Sequence, residues 1–579
     1  MRPVGRFLAA AVLIVASGCT SLPSLDNRVD STALRDTADT RLGKAIAPLA
    51  ARNGAAAGVP TQTAEPGKPV KAGLYALAGG REAMAARVVL ADAAQRSLDI
   101  QYYIWRNDLS GRIMFNVLRR AADRGVRVRL LLDDNNTMGL DDTLWTLDRH
   151  PNIEVRLFNP FAQRTARMLG YLTDFSRLNR RMHNKSFTAD NQATIIGGRN
   201  IGDEYFDATD ERAFADLDVL AVGAIVDQIS TDFDRYWSSE SAYPVDRLLQ
   251  PVDDAMVAAL GADMESAERG QGAQAYAEAV QKTSFLRELF EGQLKLEWAV
   301  TRMISDDPSK VLGNSGAAGS LAERLEDIVG KPRQLLELVS PYFVPMQEGV
   351  DYLVGLAKQG VDIRVLTNSL AATDVVAVHA GYARWRKPLL KAGIELHEYK
   401  PLAPTPPSGR LRGGGSGGSG SAAGSGIGGS STRSAGSAAS AGSAASAASV
   451  GSVGSVGSIG SGGSGRYGSS SSSLHAKTFS VDRSRVVIGS FNFDPRSAQL
   501  NTELGFVIDS PVLARSVDEA FIRNVPQTAW QVTLAESGEL QWTGQDQGVT
   551  THYDDEPGAG FWQRVGAAAF SMLPIDWLL

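Results

Sequence analysis

The sequence predicts an α/β protein made of two copies of one sandwich unit, each with a mixed sheet, and three observations carry that prediction. First, His183-Asn184-Lys185 is followed by Asp190 and then by Gly197-Gly198-Arg199-Asn200, and the same frame returns at His475-Ala476-Lys477, Asp482 and Gly489-Ser490-Phe491-Asn492. The chain has only 6 histidines, so two in matching frames of Lys, Asp, Gly and Asn speak for duplication rather than coincidence. Second, strand-like apolar runs alternate with helical ones around each frame, the pattern of an α/β sandwich. Third, landmarks repeat in order at an offset of about 240 residues, as Arg124-Gly125-Val126 does with Gln359-Gly360-Val361, and the offset then jumps to about 290 at the histidines. Two related halves usually pack about a pseudo-two-fold axis.

Taken in order, Met1 to Gly18 carry Arg2 and Arg6 ahead of the apolar run Phe7 to Ala16, which is too short to span a bilayer as a mature helix and fits an export signal. Ala16-Ser17-Gly18-Cys19 resembles a bacterial lipobox, and Cys19 is the single cysteine, which excludes an intramolecular disulfide. Loss of that signal removes both arginines from a chain whose net charge is already −6, and this acidity argues against a nucleic-acid partner. Residues 19–72 are polar, mixed with Ala, Gly and Pro, and read as a tether. The first domain covers 73–240. In it Arg81 to Ala94 is helical and Leu98 to Trp105 alternates as a strand; Ile113, Met114, Val117, Leu118 and Ala121 share a helix face, Gly125 follows that helix, and Val126 to Leu132 is a buried strand. Residues 241–330 read as a helical connection and 331–535 as the second domain. The segment 536–579 is crowded with Phe561, Trp562, Val565, Phe570, Met572, Leu573, Ile575 and Trp577, which either pack on the body or lie in a membrane interface.

The repeated frame has a chemistry of its own. His and Lys two apart on a strand project from one face. A turn at Asp190-Asn191 or Asp482-Arg483 returns the chain through Thr194-Ile195-Ile196 or Val486-Val487-Ile488 to small residues and an Asn beside the His and Lys. A cation, an imidazole, an amide and open backbone N–H groups at one spot describe a phosphate site. Asp190 and Asp482 read either as turn residues or as partners of the imidazoles. Asp216 and Glu503, which follow the two frames at similar distances, read as hydrogen-bond partners of the histidines or as solvent-facing strand carboxylates. Tyr102, Tyr103, Trp105, Tyr342 and Phe343 end the first strand of each repeat, as core or as ligand contacts. The basic and aromatic run His379 to Lys387 reads as a headgroup contact or a solvated helix face. No His or Cys spacing fits a zinc site, and no metal or other cofactor is expected.

The two frames resemble the paired HxKxxxxD signatures of the phospholipase D superfamily, and both continue into its Gly-[Ser/Gly]-x-Asn. More narrowly, Leu178 to Lys185, Leu131 to Asn136 and Gly489 to Arg496 are similar to bacterial cardiolipin synthases of the C type, the likeness running from about Leu98 to the C-terminus. The resemblance implies two phospholipase D-like domains whose His-Lys pairs meet in one cleft, with His183 the nucleophile that forms a phosphohistidine and His475 the acid. Lys185, Lys477, Asn200 and Asn492, with Gly197 and Ser490, then hold the phosphate, and Asp190 and Asp482 complete the catalytic set. It implies phosphatidyl transfer between membrane phospholipids to give cardiolipin, by an envelope protein anchored through Cys19 and facing the periplasm. Hydrolysis to phosphatidic acid is the alternative enzyme, and a lipoprotein that merely binds headgroups the alternative without catalysis. No obligate protein partner is implied. One departure is Gly198, where many relatives carry Ser.

The jump in offset is produced by Gly413 to Ser473, nearly all Gly, Ser and Ala, which cannot bury enough apolar surface to offset the entropy of ordering it. It reads as a flexible loop beside a catalytic motif rather than an active-site lid. Because each doubling of loop length costs only about 0.6 kcal/mol, replacing Gly413 to Ser473 by a short Gly-Ser linker is expected to leave turnover within about tenfold. A larger loss, with circular dichroism unchanged, identifies a lid.

Overall fold

The computed structural model describes residues 21–54, 67–207, 213–314, 324–325, 327, 329–401, 472–546 and 548–573. The export signal, Cys19 and most of the Gly/Ser insert lie outside the described residues.

In the first half, β1 (Val70–Leu77), β2 (Ser97–Ile104), β3 (Arg127–Asn136), β4 (Ile153–Phe158), β5 (Ser186–Ala189), β6 (Ala193–Gly197), β8 (Asp218–Gly223) and β9 (Ala242–Pro244) form one mixed sheet, while β7 (Ala213–Ala215) stands apart. The order across the sheet is β1-β8-β6-β5-β2-β3-β4-β9, parallel only within β2-β3-β4. Those parallel strands are buried on both faces, and this explains the unbroken apolar runs such as Leu130-Leu131-Leu132. The second half repeats the plan. Its strands β10 (Glu297–Ser305), β11 (Leu335–Val339), β12 (Asp362–Asn368), β13 (Glu395–Tyr399), β15 (Thr478–Val481), β16 (Arg485–Gly489), β17 (Leu504–Asp509) and β18 (Ala529–Leu534) are ordered β10-β17-β16-β15-β11-β12-β13-β18, and β14 (Ser472–Leu474) again stands apart. Strand for strand, the pairing senses match those of the first half.

The halves are joined through their sheets. β1 pairs antiparallel with β10, from Val70 opposite Thr301 to Leu74 opposite Glu297, so a single sheet runs through the molecule. Beneath this seam, Ile225 and Ile229 of the helix Ile225–Trp237 share a core with Ile196 and Val219 of the first half and with Ile488, Leu504 and Phe506 of the second. A second seam pairs β14 with β7, Ser472 opposite Ala213.

Three sequence expectations need adjustment at their edges. Part of the expected tether is packed: the helix Arg41–Arg52 buries Leu42 and Ile46 completely, capped by Thr40, whose hydroxyl accepts from Gly43 N at 3.1 Å. Ahead of it, the buried Arg156 guanidinium donates to Asp30 at 2.7 Å and to the Val29 carbonyl at 2.8 Å. The apolar stripe Leu42, Ile46, Leu49 and Ala50 is only three turns long, yet it suffices because it covers an existing core. The expected helical connection contains the helix Asp254–Arg269 but ends in β10, which heads the second sheet. In the C-terminal segment β19 (Leu540–Asp546) and β20 (Val549–Tyr553) extend that sheet beyond β18 before the last helix, Phe561–Ser571.

Asp190 and Asp482 fold the molecule rather than join the candidate site. Each is the first of two left-handed residues in a hairpin turn: φ is 50° and 49° at Asp190 and Asn191, and 51° at both Asp482 and Arg483. The Asp190 carboxylate accepts from the backbone N–H groups of Gln95, Arg96 and Ser97 at 3.1, 2.7 and 3.0 Å. Asp482 does the same for Arg333, Gln334 and Leu335 at 3.1, 2.8 and 2.9 Å. Each thus fastens the β5–β6 or β15–β16 hairpin to the start of β2 or β11, about 20 Å along an extended strand from the histidine of its own frame. Their catalytic assignment is corrected accordingly. With three N–H groups losing their acceptor, Asp190→Ala and Asp482→Ala are each expected to lower unfolding stability by about 3 kcal/mol in denaturant titration. The folded fraction should retain near-normal turnover.

Candidate active site

Both histidines sit just before short strands, β5 and β15, and both are pinned by backbone from the other half of the chain. His183 N donates to the Thr502 carbonyl at 2.9 Å, and Thr502 N returns the bond to Arg181 O at 2.9 Å. In the second frame, His475 N and Ala476 N both donate to Ala215 O, at 2.8 and 2.9 Å. The same exchange fixes the imidazoles. His183 Nδ1 meets Glu503 Oε2 at 2.8 Å, and His475 Nδ1 meets Asp216 Oδ2 at 2.5 Å. Each carboxylate therefore serves the histidine of the opposite half. The sequence reading placed Asp216 and Glu503 near histidines but not across the molecule. The carboxylates thus take Nδ1 of each ring, and Nε2 of His475 lies 3.4 Å from Lys477 Nζ.

The electrostatics of the two pairs differ. His183 is held well below the ordinary imidazole range by burial, then by the charges of Lys185 and Lys477. His475 is pushed down to about 3 by burial and Lys477, against the opposing pull of Asp216. Burial also raises Glu503 to about 7, partly countered by Lys185. For Asp216 burial likewise raises the value, but His475 and then Lys477 outweigh it and hold the group ionised. Lys185 falls to about 7 through burial, and Lys477 is lowered for the same first reason. Buried bases with depressed pKa values are short of negative charge, and a phosphodiester anion supplies it.

The lysines reach back to their own frames, Lys185 Nζ donating to the His183 carbonyl at 2.6 Å and Lys477 Nζ to the His475 carbonyl at 2.5 Å. Of the expected phosphate-holding residues, Asn200 is committed elsewhere, accepting from Ile104 N at 3.1 Å and donating to Tyr205 OH at 3.0 Å. Asn492 is nearly buried, and its side-chain oxygen has no protein partner among the described residues. Ser490 gives its hydroxyl to Glu503 and accepts from Leu504 N at 3.0 Å, so it orients the carboxyl that faces His183. Gly197 is a close approach to β8, a Cβ there lying 2.3 Å from Asp218 Oδ1. The departure at Gly198 is explained in the same way: a Cβ would lie 2.1 Å from Asp216 Oδ1. A longer Glu with a supporting Ser in one pair is replaced by a shorter Asp over a bare Gly in the other.

Two aromatic contacts stand against the imidazoles. Tyr103 meets His183 edge-on at 5.0 Å between ring centres, and Tyr205 meets His475 at 5.2 Å. Tyr103 was visible as one of a strand-end group of which Tyr102, Trp105 and Phe343 are core, while Tyr342 is partly buried with its hydroxyl donating to Asp374 at 2.8 Å. Tyr205 carried no sequence signal, because it follows the first frame but serves the second. Behind His183, Asp133 accepts from Met182 N at 2.9 Å, and Arg496 donates to Asn179 O at 2.8 Å, knitting together the three stretches that carried the family resemblance. The His379 to Lys387 run is part buried and part exposed, Arg384 lying at the surface. His379 and Arg386 are buried, with Arg386 donating to Glu556 at 2.6 Å.

The inequality of the two carboxylates is testable. Asp216→Asn removes a full charge from beside His475 and is expected to lower kcat by about 10²-fold or more, whereas Glu503→Gln, which keeps an acceptor for His183 Nδ1, is expected to lower it by about tenfold. Equal losses in steady-state assays would show that the pairs are electrostatically equivalent.

The family model described as cardiolipin synthase, PLD-like domain, matches residues 89–237, 326–408 and 460–525. Cardiolipin synthase C of Escherichia coli K12 is 44% identical over 511 residues, covering 88% of this chain and 97% of that protein. An uncharacterized protein of Helicobacter pylori J99 is 28% identical over 506 residues, covering 86% of this chain and 88% of its own. Among solved structures, a phosphatidylserine synthase from Haemophilus influenzae Rd KW20 superposes with a TM-score of 0.50 at 10% identity, over 87% of this chain and 95% of its own, a likeness of fold. The matched segments contain both His-Lys frames, and on this the chain belongs to the phospholipase D superfamily, in the family of cardiolipin synthases with a phospholipase D-like domain.

Proposed function

We propose that the two halves, related by a pseudo-two-fold axis, share one active site that transfers a phosphatidyl group from phosphatidylglycerol to the headgroup alcohol of a second phospholipid, yielding cardiolipin. The observation that carries this reading is the crossed pairing of His183 with Glu503 and His475 with Asp216. It favours two Nε2 atoms directed at one phosphorus, and the near full-length likeness to a cardiolipin synthase supports the lipid substrate.

In this mechanism His183 Nε2 attacks phosphorus, and the bond to the departing glycerol oxygen breaks as His475 delivers a proton to it. The acceptor alcohol then attacks the phosphohistidine, gives its proton to His475 and frees His183. The assignment of roles follows from the carboxylates. Asp216, held ionised, stabilises the imidazolium that an acid must become, while His183 stays neutral and nucleophilic beside a carboxyl of reduced charge. Arrival of the anionic phosphodiester raises the pKa of His475 and loads it with the proton it donates. Lys185 and Lys477 stabilise the charge that grows on the phosphoryl oxygens. Acylation of Cys19 would hold the chain at the bacterial envelope, facing the periplasm.

Purified protein given labelled phosphatidylglycerol, with and without phosphatidylethanolamine, is expected to form cardiolipin. Phosphatidic acid as the sole product would identify a hydrolase and end the synthase reading. His183→Ala and His475→Ala should each abolish turnover with circular dichroism unchanged, and acid-labile label should be trapped on wild type but not on His183→Ala.

A further inference from the structure

Among the described residues, seven of the 19 large apolar side chains left exposed fall in two short helices. The first is the helix Arg167–Thr173, where Met168, Leu169 and Leu172 are 58%, 56% and 77% exposed. Its inner side is bolted to the C-terminal end of β3: Tyr171 OH donates to Asn135 Oδ1 at 2.7 Å and Arg167 to the Asp134 carbonyl at 3.0 Å. The next residue, Asn136, hydrogen-bonds Tyr103, the ring that stands against His183. The second place is the helix Phe561–Ser571, which buries none of its residues and exposes Phe561 at 71% and Trp562 at 69%. It is held by Gln563, which donates to the Leu370 carbonyl at 3.4 Å. Leu370 lies just beyond Asn368, the last residue of β12, and Asn368 Nδ2 donates to the carbonyl of Leu474 at 3.0 Å, next to His475. β3 and β12 are equivalent strands, so one apolar helix hangs from the same end of each.

Scattered exposed apolar residues are ordinary, whereas paired patches at equivalent strand ends mark an interaction surface. Composition selects the occupant. Residues 164–173 and 557–573 contain no Asp or Glu, while Arg164 and Arg167 turn inward to Asp134 and Asp141 and Arg564 pairs with Asp555, so the outer faces are apolar rather than charged. Trp562 and Phe561 are side chains that settle at the headgroup level of a bilayer. Among the described residues no helix is long and apolar enough to cross a membrane, so these helices can lie on a bilayer but not span it. We propose that the helices Arg167–Thr173 and Phe561–Ser571 form a two-footed docking face on a phospholipid bilayer, setting the histidines over the headgroups. This rests on the phosphatidyl-transfer reading only for its purpose; the docking itself is read separately.

Because Cys19 is the single cysteine, Cys19→Ser leaves a full chain in which one new cysteine reports one position. Leu172→Cys, Trp562→Cys and Met256→Cys, each in that background, are coupled to an environment-sensitive dye and mixed with phosphatidylglycerol–phosphatidylethanolamine vesicles. Met256 is the control: its helix starts at Asp254, ion-paired at 2.8 Å with Arg149, close to the N-terminal end of β4 and hence at the other end of the parallel strands. Dyes at 172 and 562 are expected to shift to the blue and be quenched by brominated lipid, while the dye at 256 stays aqueous. In the wild-type background, Leu172→Asp with Trp562→Asp should lower turnover on vesicle lipid about tenfold or more and leave turnover on detergent-dispersed lipid within about twofold. Aqueous spectra at 172 and 562 overturn the proposal, as does equal loss of vesicle and micellar turnover. A blue shift that appears without vesicles and follows protein concentration also overturns it, since a second copy then covers the face. If no phosphatidyl product forms in any arm, the functional reading fails while the dye positions still decide the docking.

Discussion

A carboxylate from one half of the chain holds the imidazole of the other, and the organisation of the candidate site depends on this exchange. His183 leans on Glu503 and His475 on Asp216, and the backbone does the same through Thr502 and Ala215. Neither half alone contains a histidine with its carboxylate. An isolated half would expose an unsupported imidazole and a buried, unpaired acid, and an unpaired buried acid is strongly unfavourable. The seams therefore do more than join two domains: the pairing of β1 with β10 and of β14 with β7 sets the register in which the crossed pairs can form.

Duplication has left two frames alike in plan and unequal in chemistry. A methylene fewer in Asp216 than in Glu503 draws the carboxylate in over Gly198, where a Cβ would collide with it, whereas the longer Glu503 is steadied by the Ser490 hydroxyl. Asp216 stays ionised under the pull of His475 and Lys477, and Glu503 is pushed up to about 7 by burial. In the proposed reaction one histidine must attack while the other carries a proton. This inequality gives related residues different tasks without any change in the His-x-Lys frame itself.

The same duplication assigns two acids to folding. Asp190 and Asp482 sit at left-handed turn positions and gather three backbone N–H groups each, fixing the hairpin that follows each histidine to the strand that enters the parallel core. Their place in a repeated motif reflects the shared scaffold, which must present both His-Lys pairs at the same height. Their contribution to chemistry runs through that geometry.

Sequence alone determined what local patterns can encode. The two frames, the alternation of strands and helices, the buried runs of the parallel strands and the inserted Gly/Ser stretch were all legible, because each is written in neighbouring residues or in a repeat offset. So were the histidines and the lysines, whereas Asp216 and Glu503 read equally as partners of an imidazole or as solvent-facing strand carboxylates. Tertiary structure decided which carboxylate serves which histidine, a choice between residues 320 and 259 positions apart that two nearly identical frames leave open. It also decided that Asn200 bonds Ile104 and Tyr205, that Gly197 lies close against β8, that Ser490 holds Glu503, that Tyr205 stands beside His475, and that residues 28–53 pack on the first half. Whether Phe561 and Trp562 were buried or exposed was undecidable from their hydrophobicity, since burial depends on what surface the rest of the fold leaves for them to cover.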